Sequence, residues 1–109
     1  MNNRAGKVYI QKNKAGRIFE TDDGYSFAYD EEYLARPDAV AVSLTLPLKR
    51  EVYESKNLFS FFDGLIPEGW LLGVVSRNWK IDLSDRFGLL LAVCADCVGD
   101  VSIVPEDKQ

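Results

Sequence analysis

Apolar and polar residues alternate early in the chain. From Lys7 to Gln11, Val8 and Ile10 share one face, the period-two signature of a half-buried strand. Asn13-Lys14-Ala15-Gly16 reads as a turn, and Arg17 to Thr21 as a short second strand carrying Ile18 and Phe19. Asp22-Asp23-Gly24 has hairpin-turn chemistry, and beyond it Tyr25, Phe27 and Tyr29 alternate with Ser26 and Ala28. These stretches predict an antiparallel meander. Asp30 to Ala35 predicts a single helical turn, with Asp30 as its cap and Pro37 beyond its end. Ala39 to Leu46 alternates again, with Val40, Val42, Leu44 and Leu46 in one register, which predicts a strand with one buried face, closed by Pro47.

The second half changes period. Leu58, Phe61, Phe62 and Leu65 recur at helical spacing, with Asn57 placed to cap them. Phe59 falls off that face. Pro67-Glu68 is suited to open a further helix running to Asn78, since proline fits the first helical position. Ser84-Asp85, or Asp82, can cap a third helix across Phe87 to Cys94. Val98 to Val104 returns as a strand. Strands, then helices, then a closing strand predict an α+β fold: a small antiparallel sheet, two to three helices and a C-terminal strand rejoining the sheet. One domain over 1–109 suffices, with 1–3 and 106–109 as frayed ends.

Composition narrows the function. The 109 residues are 47% hydrophobic and 28% charged, with 17 acids against 13 bases and a net charge of −4. That balance argues against an independent nucleic-acid binder, which needs a basic surface. Lys49, Arg50 and Lys56 are too few for a nucleic-acid groove and have no stacking aromatics between them. The longest apolar run, Phe87 to Ala95, is far short of the roughly 20 residues of a membrane span, and the first residues have no signal-peptide pattern. The expected location is the cytoplasm. There is no histidine, which removes the commonest general base and metal ligand. Cys94 and Cys97 have the spacing of a redox dithiol or of half a zinc site. With no other Cys and no His to complete a site, small buried thiols are the better reading. Asp22 and Asp23 are explained by turn chemistry, and Asp30, Glu31 and Glu32 by helix capping. No cofactor, metal site or catalytic residue is expected.

Two blocks carry a family resemblance. Leu58-Phe59-Ser60-Phe61-Phe62-Asp63-Gly64-Leu65-Ile66-Pro67-Glu68-Gly69 resembles the aromatic-rich stretch ending in Leu-Leu-Pro-Glu-Gly of the HipA N-terminal subdomain. Asp85 to Val93, followed by Asp96-Cys97-Val98-Gly99-Asp100-Val101-Ser102-Ile103, resembles that family's second block, although Cys94-Ala95 stands where members often have Gly-Arg. In HipA-type toxins this subdomain precedes the rest of a Ser/Thr kinase. Here there is no Gly-rich phosphate loop, no His-Arg-Asp-like loop and no Asp-Phe-Gly. A free-standing version is similar to the HipS family, the small components of HipBST modules. The resemblance implies a non-enzymatic antitoxin that binds a HipT-like kinase, in a complex with a HipB-like helix-turn-helix protein. The alternatives are a passive subunit that completes the truncated kinase and aids assembly, and a thiol oxidoreductase using Cys94 and Cys97.

Trp70 is the leading partner-binding candidate: tryptophan joins a large apolar area to one donor. Packing into the core beside Val74 is the competing role. Pro67, Glu68, Gly69, Leu71 and Arg77 complete the expected surface. For Glu68 a pairing with a kinase Lys or Arg competes with the better reading, the first turn of a helix favoured by its dipole, and Gly69 suits close backbone approach or a plain turn.

Overall fold

A computed structural model describes residues 4–66, 84–94 and 100–106. The chain runs β1 (Ala5–Ile10), β2 (Asn13–Glu20), β3 (Tyr25–Tyr29), α1 (Glu31–Leu34), β4 (Tyr53–Ser55), α2 (Ser60–Asp63), α3 (Arg86–Val93) and β5 (Val101–Pro105). The strands form one antiparallel sheet in the order β4-β3-β2-β1-β5. The α+β expectation and the closing strand hold: β5 returns to pair with β1, with Val8 opposite Ile103.

Register explains the core. Ile18 pairs with Phe27 and Gly16 with Tyr29, while Val8 pairs with Gly16, so paired residues line one face. Val8, Ile18, Phe27 and Ile103 are fully buried there, together with Phe62 of α2 and Phe87, Leu89 and Leu90 of α3. The alternating aromatics of β3 carry much of the packing. Tyr25 lies 5.5 Å from Phe87, Phe27 lies 5.4 Å from Phe62, and Tyr29 stacks on Tyr33 at 6.3 Å, between ring centroids.

Several local expectations are corrected. The first turn falls at Gln11-Lys12 rather than at 13–16, with Gln11 in the left-handed region at φ 57°. That conformation lets a two-residue connection close the hairpin. Asn13 to Gly16 belong to β2, and the register shifts between Val8 and Tyr9, a bulge that gives Ala15 room in the core. Asp30 occupies the cap position of α1 without making a side-chain cap bond; its carboxylate pairs with Lys14 at 2.9 Å. Asn57 does not cap α2, which starts after Phe59. Phe59 is half-buried and packs edge-on against Phe62.

The largest correction concerns Ala39 to Leu46, which is not a strand of the sheet. Val42 and Leu46 are buried, but Val40 and Leu44 are exposed. A single bridge, Ser43 to Leu46, closes a tight turn over Leu44-Thr45. The backbone groups that a strand would give to a neighbour go to tyrosine hydroxyls instead. The Tyr29 hydroxyl accepts the Val42 N–H at 3.0 Å and donates to the Leu46 carbonyl. The Tyr33 hydroxyl accepts the Val40 N–H at 3.0 Å and donates to the Val40 carbonyl at 2.8 Å. The place beside β3 is taken by β4, which pairs Phe27 with Tyr53.

Candidate functional site

Pro67, Glu68, Gly69, Trp70, Leu71 and Arg77 lie outside the described residues, as does the helix expected from Glu68 to Asn78. What the structure does show is how the flanks of that segment are held. Before it, α2 carries the buried Phe62, and Ile66 is also buried. After it, Asp85 caps α3 by accepting the Gly88 N–H at 3.1 Å. The flanks are joined by an ion pair, Arg86 Nε to Asp63 Oδ1 at 2.7 Å. The Cys94 thiol also reaches the Leu65 carbonyl at 3.6 Å. The two points where the segment leaves and re-enters the described fold are thus anchored to each other and to the core.

A second anchor fixes α3 on the sheet. The Arg4 guanidinium donates to Glu20 through Nε at 3.0 Å and Nη2 at 2.8 Å, and to Asp85 through Nη1 at 2.8 Å and Nη2 at 3.0 Å. Its ring-facing side lies 5.5 Å from the Phe87 centroid. The hydrogen bonds from Arg4 hold both carboxyls below their usual range, and the same bonds raise Arg4 itself. The cluster is partly exposed and its three charged groups engage one another, so its evident work is to tie the start of β1, the end of β2 and the first turn of α3 together.

The thiol reading loses its chemistry at Cys94, whose side chain is fully buried; Cys97 lies outside the described residues. Asp22, Asp23, Glu31 and Glu32 are exposed, and among the described residues no three Asp, Glu, Cys or His side chains are grouped to hold a metal ion. No helix among them is long and apolar enough to cross a membrane.

The alternating pattern does not reveal the tyrosine-held loop after α1. Its Leu44 is fully exposed, and Val40, Leu48 and Val52 are exposed around it. The Tyr53 hydroxyl donates to the Pro47 carbonyl at 2.6 Å, adding a third tyrosine to the two that hold Val40, Val42 and Leu46. The signal was the alternation itself, which has the same pattern whether Leu44 faces a core or solvent.

Comparison with known proteins agrees with this architecture. Residues 6–104 match the family model for the HipA N-terminal domain. A solved structure described as the N-terminal domain of HipA toxin superposes with a TM-score of 0.75 at 31% identity, covering 97% of this chain and 95% of that one. An uncharacterized protein of Haemophilus influenzae is 35% identical over 106 residues, 97% of this chain and 95% of its own length. A putative kinase of Sinorhizobium fredii, Y4mE, is 29% identical over 83 residues, where 76% of this chain corresponds to only 20% of the kinase. The family model spans nearly the whole chain, and the HipA toxin domain and the Haemophilus relative are covered almost end to end: the chain belongs to the HipA N-terminal domain family.

Proposed function

We propose that this protein is an antitoxin that binds a HipT-like Ser/Thr toxin kinase and restrains it, in a cytoplasmic complex that includes a HipB-like DNA-binding protein. The observation that carries the reading is the match to the HipA N-terminal domain over residues 6–104, together with a similar stretch that makes up a fifth of the putative kinase of Sinorhizobium fredii. Restraint by binding fits the chemistry of the chain. It has no histidine, and an inhibitor of this kind needs no reacting group, only tighter binding to the inactive kinase than to the active one.

The proposed contact is the segment Pro67-Glu68-Gly69-Trp70-Leu71 with Arg77, and Trp70 is its anchor. The Asp63–Arg86 ion pair supports this assignment from the flanks, because a segment whose two ends are tied together loses less freedom on binding. The test is phosphotransfer by a HipT-like kinase, one that lacks this domain, titrated with this protein and with Trp70→Ala. The expected result is inhibition by the wild type and loss of inhibition in the variant. A kinase that binds the protein yet turns over unchanged at saturation would leave only passive assembly, and the antitoxin reading would fall.

A further inference from the structure

We infer that the loop from Val40 to Val52 is a second docking element for the same partner, with Leu44 as its apolar tip. This deepens the partner-kinase reading above and rests on it. Four of the five large hydrophobic residues exposed among the described residues lie in this loop: Val40 at 54%, Leu44 at 100%, Leu48 at 37% and Val52 at 46%. Singly exposed apolar residues are ordinary on a protein surface; four within one thirteen-residue loop make it the candidate interaction surface among the described residues.

The loop is also held in shape. Tyr33 fixes the backbone at Val40, Tyr29 fixes it at Val42 and Leu46, and Tyr53 fixes it at Pro47. The Ser43 hydroxyl accepts the Thr45 N–H at 3.2 Å. Leu44 therefore projects from a turn whose ordering entropy has already been lost in folding, and a preorganised tip binds more tightly than a floppy one. In the putative kinase of Sinorhizobium fredii the matching region is 20% of the length, so there the equivalent domain is joined to a much larger body. An apolar projection on this domain has the character of half of such an interdomain contact.

Charge defines what the loop faces. Between Val40 and Val52 the loop carries Lys49 and Arg50 against a single acid, Glu51, in a chain of net charge −4. Lys49 Nζ lies 4.2 Å from the Tyr53 ring centroid, which keeps that cation beside the apolar surface. The complementary surface is an apolar pocket with carboxylates on its rim. An anionic membrane is a poorer partner, because two cations at the foot of the loop do not outweigh the repulsion on the rest of an acidic chain.

The experiment measures the dissociation constant of the protein for the same HipT-like kinase, for wild type, Leu44→Asp, Trp70→Ala and Lys49→Glu/Arg50→Glu. Leu44→Asp is expected to weaken binding at least about 10-fold with an unchanged thermal midpoint, since its side chain touches nothing in the fold. The double charge reversal is expected to slow association and to reduce its salt dependence. A wild type that does not bind the kinase sinks the antitoxin reading and this inference together. A wild type that binds, with Leu44→Asp binding equally well, sinks this inference alone. Leu44-dependent dimerisation in sedimentation, or Leu44-dependent flotation with phosphatidylserine vesicles while kinase affinity is unchanged, would assign the loop to another occupant and overturn it.

Discussion

Arg4 and Asp85, 81 positions apart, meet in a two-pronged ion pair, with Nη1 on Oδ2 at 2.8 Å and Nη2 on Oδ1 at 3.0 Å. Asp85 is also the cap of α3, and Arg4 also grips Glu20 at the end of β2. One guanidinium therefore joins one end of the inner strands β1 and β2 to the helix that carries Phe87, Leu89 and Leu90 into the core. This contact belongs to the link between packing and stability rather than to binding. It fixes where α3 begins, and so where the candidate partner-binding segment re-enters the fold.

The cluster predicts a pH dependence. Glu20 and Asp85 are held below the usual carboxylate range by Arg4, so below about pH 4 the unfolded chain binds more protons than the native one. Stability from these groups is fully present above the unfolded pKa values and is lost as pH falls through the lower native ones. Urea midpoints measured from about pH 2.5 to 6 should rise with pH, more steeply for wild type than for Arg4→Met. At neutral pH Arg4→Met should cost on the order of 1 kcal/mol, because the cluster is partly exposed and screened. Equal slopes in the two proteins would remove the cluster as the cause.

Gly88 is constrained by the same cap. A Cβ there would sit 2.3 Å from Asp85 Oδ2 and 2.9 Å from Arg4 Nη1. Alanine normally stabilises a helix interior by about 1 kcal/mol relative to glycine. Here it displaces a short carboxylate fixed by Arg4, so Gly88→Ala should be destabilising by about 1–2 kcal/mol through the lost cap and ion pair. In an Asp85→Ala background the same change should become neutral or stabilising. Chemical denaturation of the four proteins reads this sign reversal, and additivity would refute it.

Legibility in the sequence followed how local each constraint is. The β3 aromatics and the hydrophobic spacing of Phe62 and Phe87 are set by neighbours within a turn or a strand, and both were readable. The three-residue β4 was not, since Tyr53-Glu54-Ser55 has too little pattern to register. The stretch from Ala39 to Leu46 has strand periodicity, but its backbone partners are hydroxyls of Tyr29 and Tyr33, a tertiary fact that no local period encodes. The Arg4 cluster joins residues from three separate stretches and was equally hidden. At the candidate site Trp70, singled out by its side-chain chemistry, lies outside the described residues, while the exposed tip at Leu44 has the sequence pattern of a buried face.

The three loop-holding tyrosines should differ in worth. The Tyr29 hydroxyl serves groups of Val42 and Leu46, both buried. Tyr29→Phe leaves a donor and an acceptor without a partner and should cost about 2–3 kcal/mol. Tyr53→Phe loses one exposed bond to Pro47 and should cost under about 1 kcal/mol. Tyr33→Phe should fall between them. Hydrogen exchange at the Val42 amide should accelerate in Tyr29→Phe relative to wild type. Unchanged exchange there would mean the hydroxyl does not order the loop.

Cys94 distinguishes a structural thiol from a redox one. Its side chain is fully buried, with Sγ 3.6 Å from the Leu65 carbonyl, and a catalytic thiol must instead be accessible and stabilised as thiolate. In a Cys97→Ser background, which leaves one thiol, alkylation by iodoacetamide should be slow in the native protein and fast in denaturant. Cys94→Ala should cost about 1 kcal/mol or more through the lost packing. Rapid native alkylation would reverse the assignment, because it requires a solvent-accessible sulfur where the fold places the wall between α2 and α3.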